Sequence, residues 1–530
     1  MKVQTRAGGF PFKLLSAGAA RLPHARHERL GLVMLAAATL LAFKVGQYIA
    51  ADQSTLLVVG SSVAVIGITL TPVILGHRYK SDLWAVELPI TLLLASTFIF
   101  TVRTADDLAS SPLDSAALRT VAVVGLASLL GAIAFLSADH PVKTDGALTT
   151  LPVRLYALYV VIVFVAAPIS VHPHLTAYRG VELLAAMVVI LGATRWVGIE
   201  APRRLMTAMY WLTAVLVVMV WIGALIAPEV AIKEIRLPQS PIRWQLQGYV
   251  PVMASNSVGK LGAILALWSL ANVLSKGTYG PRSRSLGLLM TFIGLATLIA
   301  SQYRTGYVAF AVGFLWLLAL KKKALLGFGG VLLALLLMVS NPLLVERAVE
   351  TAEPYVLRGQ TLEQAQELSG RIDWWTLGLP VWRESPLIGK GLLTATRFEV
   401  LAPAGFGFTS AIHSTWVEAL IGTGLIGAGL LAAALAIAWK RSFSVLRRSG
   451  AVVPTMILLV LTVRSLTGNT FESLSYDALL FLCVALSLRD TPRVDESGAN
   501  SESINGPDHE QGALHPDSTT SHVWPAPNEP

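Results

Sequence analysis

Long stretches of hydrophobic residues, separated by short polar segments, run along nearly the whole chain. Each stretch holds roughly 17 to 22 residues, which is long enough to cross a hydrocarbon core of about 30 Å as a helix. The pattern therefore predicts an all-α polytopic membrane protein with about fourteen transmembrane helices. The predicted spans lie at 31–50, 55–76, 83–102, 119–137, 154–171, 181–198, 205–227, 257–275, 286–303, 305–320, 324–340, 413–438, 451–468 and 477–488.

Basic residues occur in alternate loops between these spans. Because Lys and Arg are enriched in cytoplasmic loops, this alternation predicts which loops face the cytoplasm, and it places both chain ends on that side. It also accounts for the net charge of +9 without a nucleic-acid partner. The basic loop residues are Arg78, Lys80, Lys143, Arg195, Arg203, Arg204, Arg282, Arg284, Lys321, Lys322, Lys323, Lys440, Arg441, Arg447 and Arg448.

The longest loop is too long for a structureless connection, so we expect helices within it. Gln360–Leu368 favours a helix, and the aromatic-rich stretch Ile372–Trp382 is suited to lying at the membrane interface. The end of the chain is poor in large apolar residues, which predicts disorder. The predicted segments are a basic cytoplasmic N-terminal segment (1–29), a transmembrane bundle (30–340), a large periplasmic loop (341–412), C-terminal transmembrane helices (413–488) and a disordered cytoplasmic tail (489–530).

The composition argues against several kinds of chemistry. Hydrophobic residues make up 54% of the chain, as expected for a membrane protein. Cys483 is the single cysteine, so neither a disulfide nor a thiolate metal site can form. His172 and His174 lack carboxylate or thiol neighbours in sequence, so we assign them to a turn and expect no metal. The sequence also lacks a phosphate-binding glycine loop, so no nucleotide or other cofactor is expected.

Arg304 is a first candidate for chemistry, because it lies where one predicted span ends and the next begins. One interpretation is an interfacial arginine that reaches lipid phosphate. The other is a planar guanidinium that grips a diphosphate through two parallel, charge-assisted hydrogen bonds. The position alone leaves both open.

A second candidate segment lies in the long loop. Arg371 opens an amphipathic stretch in which Trp374 is an interfacial anchor. The alternative for Arg371 is a salt bridge to Asp373 or Glu384.

The third candidate is His413, at the start of the span that follows the loop. The positive end of a helix disfavours imidazolium, so this histidine is expected to be neutral near pH 7 and able to accept a proton. The alternative is a histidine that caps the helix. Glu418, a turn further on, either pairs with a basic group or bonds to a neighbouring helix.

Together these segments resemble the O-antigen ligase and O-antigen polymerase superfamily. Arg304 to Gly306 match its Arg-Thr-Gly motif, and Ser369 to Gly391 match a Ser-Gly-Arg, Trp and Pro-Leu-Ile-Gly-x-Gly pattern. The third motif is a His-x-x-x-x-Glu stretch followed by Gly-x-x-Gly, which His413, Glu418, Gly424 and Gly427 match. An earlier segment of the family, a Gly followed by Asn-x-x-Gly, is similar to the segment that contains Gly248 and Asn256. Ser414 departs from the pattern, since the family commonly has Asn after the histidine.

The resemblance implies a C-type glycosyltransferase fold in the bacterial inner membrane, with its active site on the periplasmic side. It implies transfer of a glycan from undecaprenyl diphosphate to an acceptor sugar hydroxyl, with inversion and without metal. Arg304 and Arg371 would hold the diphosphate and His413 would be the general base, with Glu418, Gly248, Asn256 and Trp374 near the substrates. Lipid A core, a second lipid-linked glycan and a protein hydroxyl stay open as acceptors, and a membrane transporter is the rival class.

Overall fold

A computed structural model describes most of the hydrophobic part of the chain. The described residues are 84–97, 115–138, 150–234, 243–249, 251–275, 279–281, 283–320, 371–406 and 412–488. The spans predicted at 31–50, 55–76 and 324–340, the helix expected at Gln360–Leu368, and both terminal segments lie outside these residues.

The described chain is mostly helical, as the hydrophobic pattern predicts. Each predicted span that falls on described residues coincides with a helix. The helices are α1 (Glu87–Ser96), α2 (Ser115–Leu136), α3 (Leu151–Ala166), α4 (Pro173–Val197), α5 (Ala201–Ile226), α6 (Pro228–Ala231), α7 (Ser255–Ser275), α8 (Arg284–Ser301), α9 (Arg304–Leu320), α10 (Arg371–Glu384), α11 (Thr415–Ser449), α12 (Val453–Thr467) and α13 (Tyr476–Ser487).

Five helical stretches are long and apolar enough to cross a membrane: Leu151–Ile169, Pro173–Ile226, Ser255–Ser275, Arg284–Ser301 and Thr415–Ser449. The second of these, with 54 residues, is too long for a single crossing. It consists of α4 and α5, which a short 3-10 turn at Gly198–Glu200 separates, and each of these two helices is long enough to cross alone.

Helix α13 is short but lies at the centre of the bundle. It has 12 residues, fewer than the 20 or so that a straight crossing needs, and its side chains from Tyr476 to Leu486 are buried. Because protein rather than lipid surrounds α13, a polar residue in its first turn can be stabilised by partners from other helices.

Three smaller elements lie outside the apolar helices. The strands β1 (Ile232–Glu234) and β2 (Trp244–Leu246) form an antiparallel pair in which Lys233 lies opposite Gln245. Helix α10 packs against α11 and is followed by a π-helical turn at Ala395–Leu401. These elements lie at the end of the bundle where α5 and α8 end and where α7, α9 and α11 begin.

The opposite end of the bundle carries the described basic residues that were predicted to lie in cytoplasmic loops. They are Arg195, Arg203, Arg204, Arg284, Lys440, Arg441, Arg447 and Arg448, at the ends of α4, α5, α8 and α11. Within this group Arg204 forms a buried bidentate salt bridge with Glu87 of α1, with N to O distances of 2.7 and 2.8 Å.

Candidate functional site

Three of the candidate segments meet at the end of α12. The carbonyl of Thr467 accepts a hydrogen bond from Nη1 of Arg371 at 2.8 Å, and its hydroxyl bonds to that of Thr305 at 2.9 Å. The next carbonyl, of Gly468, accepts from both the amide and the hydroxyl of Thr415, at 3.2 and 3.1 Å. The last residue of α12 and the connector to α13, together residues 467–475, therefore join α9, α10 and the first turn of α11.

The junction between α8 and α9 brings Arg304 to this end of the bundle. Gln302 has a left-handed conformation, with φ at 53°, which ends α8 and lets α9 begin two residues later. Gly259 of α7 packs so closely here that an added Cβ would lie 2.4 Å from Cβ of Tyr303. The close approach explains the glycine of the Asn-x-x-Gly segment.

Arg371 lies beside a second guanidinium, that of Arg464 in α12. Burial lowers the pKa of Arg371, and the positive charge of Arg464 lowers it further. The expected alternative for Arg371, a salt bridge to Asp373 or Glu384, is not formed, because Arg371 bonds to Thr467 and Glu384 pairs with Lys390 at 2.5 Å.

His413 lies within the field of these two arginines. Burial, then Arg371, then Arg464 lower the pKa of His413 to about 4, so its imidazole is neutral at pH 7. This protonation state is the expected one, but the main cause is burial and not the helix terminus. Ser414, not His413, caps α11, since its hydroxyl accepts from the amide of Val417 at 3.5 Å.

An aromatic wall borders His413. The ring of Trp374 lies 5.8 Å from the imidazole and 5.5 Å from the ring of Phe406, measured between centroids. The neighbouring Trp375 donates through Nε1 to the carbonyl of Ile412 at 3.2 Å, which fixes the backbone before the histidine. Aromatic faces of this kind can stack on apolar faces of ligands.

The Pro-Leu-Ile-Gly-x-Gly segment docks onto α11 through its backbone. Gly424 interrupts α11 with φ at 65° and ψ at −169°, which frees two helix carbonyls. They accept from the loop: Ile421 from the amide of Lys390 at 2.9 Å, and Gly422 from the amide of Gly391 at 3.0 Å. The glycines of both motifs are thus explained by close contact between two backbones.

Glu418 bonds to a neighbouring segment and not to a basic group. Its Oε1 accepts from the amide of Leu393 and the hydroxyl of Thr396, both at 2.9 Å, and its side chain is fully buried. It holds the segment after α10 against α11.

The two remaining candidates, Gly248 and Asn256, lie just before α7 and in its first turn. The amide and carbonyl of Gly248 bond to those of Met253, at 2.8 and 3.2 Å, so this glycine closes a tight turn. Asn256 is exposed in the first turn of α7. The structure therefore brings together Arg371, Trp374 and His413, with Arg304 attached through its neighbours.

A buried ionic cluster was missed by the sequence predictions. Arg464 donates through Nε to Oδ2 of Asp477 at 2.6 Å, and Lys260 donates to the same oxygen at 3.1 Å. The hydroxyl of Tyr303 accepts from Arg464 at 3.1 Å. Lys260, Arg464 and Asp477 each lie within a predicted apolar span, and an ionisable residue in such a span was the signal that could have found them.

These features define a helical membrane protein with a cation-rich cluster at one end of its bundle. Residues 289–432, about a quarter of the chain, match the model of the O-antigen ligase family. The matched stretch includes Arg304, Arg371 and His413 and ends before Arg464 and Asp477. No curated protein matches the chain.

Proposed function

We propose that the protein transfers a glycan from undecaprenyl diphosphate to a sugar hydroxyl of an acceptor. The observation that carries this proposal is the position of a neutral histidine, His413, in the field of Arg371 and Arg464. The match to the ligase family favours the same chemistry, because the family transfers glycans in cell-envelope biosynthesis. The acceptor is either lipid A core, which makes the protein a ligase, or a second lipid-linked glycan, which makes it a polymerase.

In the proposed reaction His413 accepts the proton of the acceptor hydroxyl as its oxygen attacks the anomeric carbon of the glycan. The bond from that carbon to the diphosphate oxygen breaks, and the electron pair leaves with the diphosphate. Arg304 and Arg371 bind the diphosphate and offset the negative charge that develops on it. A single displacement of this kind inverts the anomeric carbon. Trp374 provides a face on which a sugar can stack.

Without a bound donor, His413 is a weak base because its pKa is low. We expect the pKa to rise when the donor binds. A general base works best when its pKa is near the pH of the reaction, whereas the pKa of His413 is about 4. A bound diphosphate would offset the charges of Arg371 and Arg464, which are two of the three causes of the low value. The pKa of His413 would therefore rise when the donor is in place.

The proposed site faces the periplasm. The end of the bundle opposite the site carries the basic connections, and such connections face the cytoplasm in bacterial inner-membrane proteins. We also propose that about fourteen spans form a C-type glycosyltransferase arrangement and that both chain ends are cytoplasmic.

The experiment that tests the proposal is transfer by purified protein. The protein is incubated with lipid-linked glycan alone, and with lipid A core added, so that polymerisation and ligation give different products. We expect His413→Ala to lower turnover by roughly 10² while donor binding is kept, the contribution of a positioned general base. His172→Ala, which lies outside the site, is the matched control and should transfer at the wild-type rate.

The arginines are tested by substitutions that keep their charge. Arg304→Lys and Arg371→Lys lose the planar fork, so transfer should fall about tenfold, equivalent to about 1.4 kcal/mol of transition-state stabilisation. Arg383→Lys is the control for Arg371→Lys, since Arg383 is an exposed arginine of the same helix. Wild-type rates in all three site variants, at normal protein levels, would contradict the proposal and favour a membrane transporter.

A further inference from the structure

Three hydrogen bonds hold the guanidinium of Arg464 in place, and they use only some of its N–H groups. Nε donates to Asp477 at 2.6 Å, Nη1 to the hydroxyl of Tyr303 at 3.1 Å and Nη2 to the carbonyl of Asn469 at 3.4 Å. A guanidinium has five N–H groups, and these three bonds to described residues leave one N–H on each terminal nitrogen. A guanidinium that is fixed in this way is already oriented to donate to a further acceptor.

Arg464 lies on the side of α12 that faces Arg371. It is three residues before Thr467, so the two residues share a face of the helix. The carbonyl of Thr467 holds Arg371 at 2.8 Å, and the charges of Arg371 and Arg464 both act on His413. The two guanidinium groups therefore come from different helices to the same place beside the imidazole.

The cluster carries more positive than negative charge. Asp477 is the carboxylate that forms salt bridges with this cluster in the described part of the chain, and it pairs with both Lys260 and Arg464. With Arg371, three cations share one anion, which leaves a formal excess of two positive charges beside a neutral His413. Like charges in a site of low dielectric are costly unless an anion joins them. A diphosphate diester carries two negative charges and would balance the excess.

We propose that Arg464 is a third guanidinium ligand of the donor diphosphate, held in position by Asp477 and Tyr303. The inference rests on the proposed function and adds to it a residue that lies outside the stretch matching the family. The structural alternative is that Arg464 serves only to join α12 to α13 through Asp477.

The two roles are separated by binding of soluble prenyl phosphates to the purified full-length protein. Farnesyl diphosphate is the probe, and farnesyl monophosphate is the ligand that lacks the second phosphate. Arg464→Lys keeps the charge and the pair with Asp477 but loses the fork, so affinity for the diphosphate should fall about tenfold with little change for the monophosphate. Arg204→Lys makes the same change at a buried arginine with a carboxylate partner elsewhere in the bundle, and it should bind both ligands as the wild type does.

A second variant covers the possibility that Arg464→Lys does not fold. Tyr303→Phe removes the hydroxyl that orients Nη1 and keeps the ring, so diphosphate affinity should fall about threefold without loss of thermal stability. Wild-type diphosphate affinity in either folded variant would overturn the role of Arg464 and leave the proposed function standing. If the wild-type protein binds neither prenyl phosphate, the proposed function fails, and the inference fails with it.

Discussion

His413 has a backbone conformation that is uncommon for a residue with a side chain. Its φ is 57°, in the left-handed region, one residue before the cap of α11. Such conformations cost about 1 kcal/mol or more and persist where the surrounding structure fixes them, as functional sites often do. Here the carbonyl of Ile412 is held by Trp375 and the helix start is held by Ser414. The conformation turns the imidazole towards Trp374 and away from the helix.

The titration of His413 should change when the donor binds. His413 accepts a proton only when neutral, so transfer is lost as pH falls through its pKa. With the donor as the varied substrate, kcat/KM reports the free protein, and its acid limb should lie near the pKa of about 4. The acid limb of kcat, which reports the donor complex, should lie at higher pH, because the diphosphate offsets the charges of Arg371 and Arg464.

The measurement is the rate of transfer between about pH 4 and pH 8 at varied donor concentration. His172→Ala should leave both limbs in place. A kcat limb at the same pH as the kcat/KM limb, or below it, would show that the diphosphate does not bind beside His413.

At the scale of elements, the site depends on a loop that docks onto a broken helix. The loop segment Pro386–Gly391 bonds to α11 on both sides of Gly424, since the amide of Leu425 also donates to the carbonyl of Pro386 at 2.8 Å. The backbones approach so closely that Cβ atoms have no space at Gly389 or Gly424. The docked loop fixes the end of α10 against the helix that begins just after His413.

Substitution of Gly389 tests this docking against backbone strain alone. Gly389 and Gly405 both have positive φ, 79° and 82°, so alanine strains the backbone similarly at each. Only at Gly389 does an added Cβ meet backbone, at 2.4 Å from the amide of Thr423, while Gly405 has open space. Gly405→Ala should cost about 1 kcal/mol and Gly389→Ala about 2 to 4 kcal/mol.

Thermal unfolding of both variants in the same detergent gives this comparison. Transfer should fall in Gly389→Ala and stay near wild type in Gly405→Ala. Equal losses of stability would mean that φ accounts for the whole effect and that the two backbones can move apart.

The sequence predicted the helices well because apolar length decides where a chain crosses a membrane. The aromatic-rich stretch Ile372–Trp382, expected to lie at the membrane interface, falls within α10. The ionic cluster was not predicted, because contacts between residues as distant as Lys260 and Asp477 leave no local pattern. The bonds from Oε1 of Glu418 to Leu393 and Thr396 were also not predicted, because they depend on how the loop folds back.

At the scale of the whole molecule, the two ends of the bundle differ in chemistry. One end has the basic connections of α4, α8 and α11, and the other has the loop, the strand pair and the connector. Helix α11 runs the full distance between them, with 35 residues from Thr415 to Ser449. Helix α11, with its interruption at Gly424, therefore links the proposed periplasmic site to the proposed cytoplasmic face.

Cysteine labelling tests this orientation. The native Cys483 is fully buried in α13, and Cys483→Ala gives a background without thiols. In that background Arg383→Cys should react in intact spheroplasts with a membrane-impermeant maleimide, because Arg383 is exposed beside the site. Ser449→Cys, exposed at the other end, should react only after the membrane is permeabilised. Labelling of Ser449→Cys in intact spheroplasts, and of Arg383→Cys only after permeabilisation, would show that the bundle has the opposite orientation.

Asp477 and Arg464 are synthesised after the whole stretch that matches the ligase family, because synthesis runs from the N-terminus to the C-terminus. A nascent chain that has inserted α11 already contains Arg304, Arg371, His413 and the whole stretch that matches the ligase family. It still lacks residues 467–475, which join α9, α10 and α11. We therefore expect the proposed transfer to begin only after α12 and α13 have been inserted.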